Sequence, residues 1–339
     1  MRTDRAAYGR DLGSSPNDSR RSGVAPRHRL VLVYPLFAPE AEELLRERGS
    51  ELVRLPDGRP ETIAASLRDA DAVILYPPAR ITEEMIREAP KLRVIGSFGA
   101  GTDNIDVAAA ERAGVRVLNN AGVGSETMVE WTIAAAIACH RFMVPMHNRM
   151  AAGSLDWSKR SEVPLGRDLR GSTFGVVGLG YIGRRVAEVI STAFGATVIA
   201  FSRRVRAADV PAGVSLVNDL DDLCTASDTV SVHCALDDTT RGLIGASQIE
   251  RIGSDGVLVS CARGGVVVEA DLVRALRQGA LKAAALDVFD PEPPSTASLP
   301  LLAETPNLLM TPHIGGWTEA HLRELSFGIA ERVSQALEY

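Results

Sequence analysis

At 339 residues, with 45% apolar and 24% charged side chains, the chain is long enough for two globular domains, each with its own core. A net charge of −6 supplies no overall basic field, which argues against non-specific binding to nucleic acid or to a membrane surface. No apolar run reaches the roughly 18 residues of a membrane span; the longest, Trp131 to Cys139, is closed by Glu130 and His140.

Residues 1–28 are rich in Arg, Ser, Gly and Pro and lack the apolar core of a signal peptide, so they read as a disordered tail. Asp4, Asp11 and Asp18 argue against a transit peptide, and a start-site extension is an equal reading. From Arg29 the pattern changes. R-L-V-L-V-Y-P-L is a short buried strand, and A-P-E-A-E-E-L-L-R-E-R-G has helical spacing with Gly49 to end it. The alternation recurs: D-A-V-I-L-Y (71–76), a helix with Thr82 as N-cap, L-R-V-I-G-S-F-G (92–99), V-A-A-A-E-R-A-G and V-R-V-L-N-N. Strands and helices in alternation imply a parallel sheet covered on both faces.

The stretch T-M-V-E-W-T-I-A-A-A-I-A-C-H-R-F-M-V has no glycine until Gly153 and predicts one long helix, apolar nearly all round, between two domains. T-F-G-V-V-G-L-G-Y-I-G-R-R-V-A (173–187) then restarts the alternation. Four strand signals follow (A-T-V-I-A-F, D-T-V-S-V-H, G-V-L-V-S-C and K-A-A-A-L-D-V), with L-L-M-T as a candidate last strand. The expected fold class is α/β, with two Rossmann-like or flavodoxin-like parallel-sheet domains. The four cysteines, Cys139, Cys224, Cys234 and Cys261, form no C-x-x-C pair and have no ligand spacing with histidine. They read as reduced thiols of a cytoplasmic protein, and no metal is expected.

Gly178, Gly180 and Gly183 form G-x-G-x-x-G between a strand and a helix. The first makes the tight turn, the second lets the backbone approach a pyrophosphate, and the third allows close helix–strand packing. About 20 residues further on, an acidic side chain ordinarily accepts from the ribose 2′-hydroxyl of NAD. Here Ser202, Arg203 and Arg204 stand at that strand end. A carboxylate would repel a 2′-phosphate, whereas a hydroxyl and guanidinium groups satisfy it, so NADP(H) is the preferred cofactor and NAD(H) the alternative.

Three further residues stand at strand ends and loops of the second half: Arg263 in C-A-R-G-G, Glu292 after D-V-F-D-P, and His313 in M-T-P-H-I-G-G-W. With G-A-G-T-D-N-I-D (99–106), L-R-G-S-T-F-G-V-V-G-L-G-Y-I-G (169–183) and S-D-T-V-S-V-H-C-A-L-D-D-T-T-R-G-L-I (227–244), they carry a specific likeness. From residue 29 onward the chain resembles the D-isomer-specific 2-hydroxyacid dehydrogenase family, which includes glyoxylate and hydroxypyruvate reductases, phosphoglycerate dehydrogenases and formate dehydrogenases.

The resemblance implies a substrate-binding domain of residues 29–124 plus 312–339, an NAD(P)-binding domain of 125–311, a cleft between them holding the active site, and a homodimer. In reducing a small 2-keto acid, Arg263 would hold the substrate carboxylate and polarise the keto oxygen. His313 would protonate the developing alkoxide, and Glu292 would hold its ring and raise its pKa. The resemblance places the backbone of Ala100 and Gly101 on the substrate carboxylate. It puts Tyr181, Ile182, Cys234, Cys261, Ala262, Gly315 and Gly316 along the cofactor, with Asp287 at the nicotinamide carboxamide. Trp131, Trp157 and Trp317 read as core or interface anchors, with a place beside the substrate as the alternative for Trp317; His140 and His147, both on the long helix, His233 and His321 read as packing or exposed residues.

Departures narrow the reading. Pro77, Pro78 and Ala79 offer no side chain for a phosphate, and no regulatory domain follows before Tyr339; both weigh against a phosphoglycerate dehydrogenase. Ser260 stands where the family often has asparagine, and Ala121 where it often has proline. Two alternatives remain: a phosphite- or formate-type dehydrogenase on the same fold, and a non-catalytic NAD(P)-sensing scaffold of the corepressor kind.

Overall fold

The structure, a computed structural model, describes residues 27–338 apart from 157, 160 and 162. The expectation for the tail therefore lies outside the described residues except at its end, where the first strand already starts at His28. Trp157 also lies outside them. The chain forms two compact units. Of the described residues, one contains those up to Ser97, Asn104–Leu118 and those from Ile329; the other contains Phe98–Asp103 and those within Asn119–Gly328.

The first unit is built on five parallel strands, β1 (His28–Leu32), β2 (Ser50–Arg54), β3 (Ala72–Leu75), β4 (Val94–Ser97) and β5 (Arg116–Leu118), in the order β2-β1-β3-β4-β5. The helices α1 (Pro39–Glu47), α2 (Pro60–Leu67), α3 (Glu83–Arg87) and α4 (Val107–Arg112) connect them. Strands β3 and β4 are buried at every position, as their continuous apolar text requires. Thr82 caps α3 by accepting from the Met85 amide, as its sequence position predicts. Sequence reading overlooked β2. As an edge strand with Glu51 and Arg54 exposed, S-E-L-V-R carries too little apolar signal to be read alone.

The second unit begins with α5 (Ser125–His140) and α6 (Met143–Ala151). The single long helix expected from Thr127 to Val144 is broken at Phe142, which takes a left-handed backbone (φ 50°). Pro145 is accommodated because it falls in the first turn of the new helix, where an amide has no helical partner. His147 therefore lies on α6 and not on the helix of His140.

The strands β6 (Thr173–Val177), β7 (Thr197–Phe201), β8 (Val214–Leu216), β9 (Thr229–Val232), β10 (Val257–Ser260), β11 (Ala283–Leu286) and β12 (Leu308–Met310) form one parallel sheet, ordered β12-β11-β10-β9-β6-β7-β8. Helices α7 (Tyr181–Val189), α8 (Leu220–Ala226), α9 (Ala246–Ile252), α10 (Glu269–Gln278) and α11 (Ser298–Ala303) join them, and α12 (Glu319–Glu338) follows. L-L-M is indeed the last strand. The three-residue β8 at the other edge is too short to show periodicity, and the sequence reading missed it.

Two apolar clusters cover the faces of this sheet. Leu223, Val230, Val232, Leu258 and Leu272 belong to one, while Val129, Ala136, Phe174, Val176 and Val259 belong to the other, with α5. The crossover reverses between β6 and β9, so the carboxyl ends of these strands form the crevice where such sheets receive ligands.

Candidate active site

The glycine loop lies at the end of β6, beside the β6/β9 switch point. Gly178 has φ +96°, and a Cβ there would fall 2.9 Å from the Cys234 amide nitrogen. A Cβ on Gly183 would stand 1.9 Å from the Gly178 carbonyl oxygen, so helix and strand can approach only at glycine. At Gly180, by contrast, no atom lies within 4 Å of where a Cβ would be, and no side chain caps α7. Crowded first and third glycines with an open second one are what a pyrophosphate at a helix N-terminus needs, so the residues present fit a dinucleotide.

Ser202, Arg203 and Arg204 follow β7, as expected from the sequence. Both guanidinium groups face the loop after β9: Arg203 Nη2 lies 3.6 Å and Arg204 Nη2 3.7 Å from Asp237 Oδ2, and Arg203 Nη1 also donates to Thr239 Oγ1. Sequence reading missed Asp237. Nothing in L-D-D-T-T distinguishes a carboxylate facing this pair from an ordinary turn aspartate.

Arg263 leaves the end of β10 with its guanidinium held at two points. Its Nε donates to Asp103 Oδ2 at 2.9 Å and its Nη1 to the Ala262 carbonyl at 2.8 Å. A Cβ on Gly101 would sit 1.9 Å from Nη2, so the glycine turn lies directly against the outer end of the fork. That turn is itself anchored. Asn119 Nδ2 donates to the Ala100 carbonyl, and the fully buried Asn120 donates through Nδ2 to the carbonyls of Phe98 and Leu325, each at 2.8 Å. Asp103, Asn119 and Asn120 went unnoticed in the sequence, where only the adjacent polar pair after V-R-V-L hinted at a role.

His313 and Glu292 meet through Nδ1 and Oε1. Burial pushes the Glu292 carboxyl up, but the bond to His313, the imidazole's charge and the nearby Arg263 outweigh it and leave its pKa below the usual value. His313 and Glu292 are thus brought together, and Arg263 is near enough for its charge to act on Glu292. His313 has a left-handed backbone (φ 54°), a conformation that a non-glycine residue holds only when its surroundings impose it.

Asp287 imposes it. Fully buried, it accepts from Ile314 N at 2.8 Å, from Gly315 N at 2.7 Å and from Thr311 Oγ1, while its carbonyl accepts from His313 N. The resemblance assigned Asp287 to the nicotinamide; the geometry gives it a second task, setting the loop that carries the imidazole. A Cβ on Gly315 would strike both Asp287 Oδ2, at 2.8 Å, and Met128 Cε, at 2.9 Å.

Of the remaining cofactor-side residues, Tyr181 and Ile182 open α7, and Cys234 follows β9. Cys261 is buried, 3.5 Å from Thr132 Oγ1 and 3.8 Å from His233 Nδ1, and burial pushes its thiol up to about 12, so it is no nucleophile. Burial lowers His233 and His140 to about 4; each ring bonds a hydroxyl, of Ser231 and Thr229 respectively. Among the described residues no cluster of His, Cys, Asp or Glu is arranged to hold a metal, and no helix is long and apolar enough to cross a membrane.

Residues 133–315, more than half of the chain, match the family model for the D-isomer specific 2-hydroxyacid dehydrogenase, NAD binding domain. The chain belongs to the D-isomer-specific 2-hydroxyacid dehydrogenase family. It is 39% identical to the glyoxylate reductase of Aeropyrum pernix over 305 residues, covering 88% of this chain and 89% of that one. The D-3-phosphoglycerate dehydrogenase of Methanocaldococcus jannaschii is 34% identical over 91% of this chain, which spans only 57% of that longer relative. Among solved structures, the NADPH-dependent glyoxylate/hydroxypyruvate reductase of Sinorhizobium meliloti, in complex with NADP and malonate, superposes with a TM-score of 0.80 at 27% identity. That match covers 92% of this chain and 94% of the other. Membership of this family of oxidoreductases, through its NAD binding domain, supports a nicotinamide cofactor.

Proposed function

We propose that the protein reduces a small 2-keto acid such as glyoxylate or hydroxypyruvate to the D-2-hydroxy acid, with NADPH preferred over NADH. The observation that carries this reading is the bonded pair of His313 and Glu292, with the charge of Arg263 acting on the same carboxylate. Nε and one Nη1 hydrogen of Arg263 are engaged by the protein, so the outer Nη1–Nη2 end is the part that holds the substrate carboxylate and draws charge from the keto oxygen. The amides of Ala100 and Gly101 complete the anion site.

The cofactor, when bound, supplies hydride to the keto carbon. As the alkoxide develops, His313 gives it a proton; Nδ1 is held by Glu292, so Nε2 is the donating atom. The lowered pKa of Glu292 keeps its carboxylate charged beside the ring. In the oxidative direction the same nitrogen takes the proton back.

NADPH preference rests on Ser202, Arg203 and Arg204 in place of an acid, and it agrees with the cofactor of the Sinorhizobium relative. A small unphosphorylated substrate is favoured by Pro77, Pro78 and the buried Ala79. The domain roles, with 29–124 plus 312–339 on the substrate and 125–311 on the cofactor, follow the family pattern. So does a cytoplasmic homodimer, supported by α6, which buries none of its residues and exposes Met143 and Met150. A spectrophotometric survey of 2-keto acids with NADPH and NADH tests the reading. Coenzyme oxidation with at least one small 2-keto acid is expected, and its absence from folded protein rejects the proposal.

A further inference from the structure

The arginine pair after β7 has an acid for company. Asp237 Oδ2 lies within 3.6–3.7 Å of one Nη2 on each arginine, while its Oδ1 accepts from Thr239 N at 2.8 Å and from the Thr239 hydroxyl. The carboxylate is therefore clamped in a tight turn and aimed at the guanidinium groups. From the geometry we infer that Asp237 determines cofactor specificity: it competes with the 2′-phosphate for Arg203 and Arg204 and so moderates the preference for NADPH. This rests on the reading of the pair as the 2′-phosphate site.

The charge arithmetic supports the inference. Two guanidinium groups facing one dianionic phosphate discriminate strongly against NADH, which leaves them without a partner. With Asp237 present, they are already partly compensated before any cofactor arrives, and the phosphate must enter beside a like charge. The carboxylate stays ionised at neutral pH: the two bonds from Thr239 lower its pKa and outweigh burial, and Arg203 and Thr240 lower it further. NADH loses nothing by this arrangement, because the arginines are satisfied without it. The site is built to accept both cofactors, with a bias toward the phosphorylated one.

The test is fluorescence titration of NADPH and NADH onto the wild-type protein, Asp237→Asn, Asp237→Ser and Arg203→Ala, with no substrate and no turnover. Asparagine retains an oxygen for the Thr239 amide, so the turn is kept while the charge is removed. Removing one unit charge a few ångströms from a surface phosphate should raise the NADPH-to-NADH affinity ratio roughly tenfold, and the gain should shrink at high salt. Asp237→Ser checks that any gain comes from lost charge and not from the amide. A ratio that is unchanged, or that falls, in both Asp237 variants overturns the inference, the latter because Asp237 would then be positioning the arginines for the phosphate. An equal loss of both cofactors in Arg203→Ala has a different meaning: it removes the phosphate reading itself.

Discussion

The two ends of the second unit's crevice treat their arginines differently. At the chemical end, Arg263 is bonded through Nε to Asp103 at 2.9 Å and through Nη1 to a main-chain carbonyl, and Asp287 and Glu292 fix the loop and ring of His313. At the recognition end, Arg204 is 89% exposed, and its contact with Asp237 is a loose 3.7 Å. Reacting groups must be in place before substrate arrives, since a group ordered only on binding spends affinity on its own immobilisation. A phosphate site tolerates looser donors, because the ligand's charge gathers them. The contrast separates residues whose loss should affect rate from those whose loss should affect only the choice of cofactor.

His313→Ala should make the largest difference, lowering kcat by about 10²–10⁴-fold, with NADPH affinity kept. Arg263→Lys comes next: a lysine cannot donate from Nε to Asp103 and present a fork to the carboxylate at once, so KM should rise by about 10²-fold in steady-state assays. If Arg263→Lys behaves as wild type, the held end is no more demanding than the loose one. Asp103→Ala should raise KM about tenfold with a smaller effect on kcat, and Asp103→Asn, which keeps an oxygen for Nε, should recover much of it. Arg203→Ala should leave kcat with saturating NADH unchanged while weakening NADPH binding about tenfold, measured by titration.

The smallest effect concerns acidity. The bond to His313 and nearby charge hold the Glu292 pKa below its ordinary value, so that bond is fully present above the ordinary value and is lost as pH falls through the lowered one. The acid limb of the pH–rate profile should therefore lie below the ordinary carboxylate range in wild type. In Glu292→Gln that limb should vanish, with a reduced rate throughout, and a limb unchanged in position would detach Glu292 from it.

How much of this was legible beforehand depends on the scale at which each feature is encoded. Gly178, Gly180 and Gly183 could be singled out because their spacing after a strand and before a helix is itself visible in the sequence, two of them meeting a local steric demand and one leaving the helix start open. Arg263, Glu292 and His313 follow strands, in Pro- and Gly-flanked loops, so topology made them candidates. Asp103 and Asp237 could not be read in this way. Each is an ordinary turn aspartate in sequence and acquires its meaning only from an arginine far away in the chain. The edge strands β2 and β8 and the break at Phe142 were lost for a related reason: short or half-exposed segments carry weak periodicity, and a left-handed phenylalanine has no sequence mark.

The most direct test of the central claim is the rate of NADPH oxidation with hydroxypyruvate, measured for the wild-type protein and for His313→Ala under conditions where both are shown to bind NADPH equally. Turnover by the wild type and a loss of at least about 10²-fold in the variant is the expected result. No turnover by the wild type with any small 2-keto acid, or an undiminished rate in His313→Ala, would contradict the account.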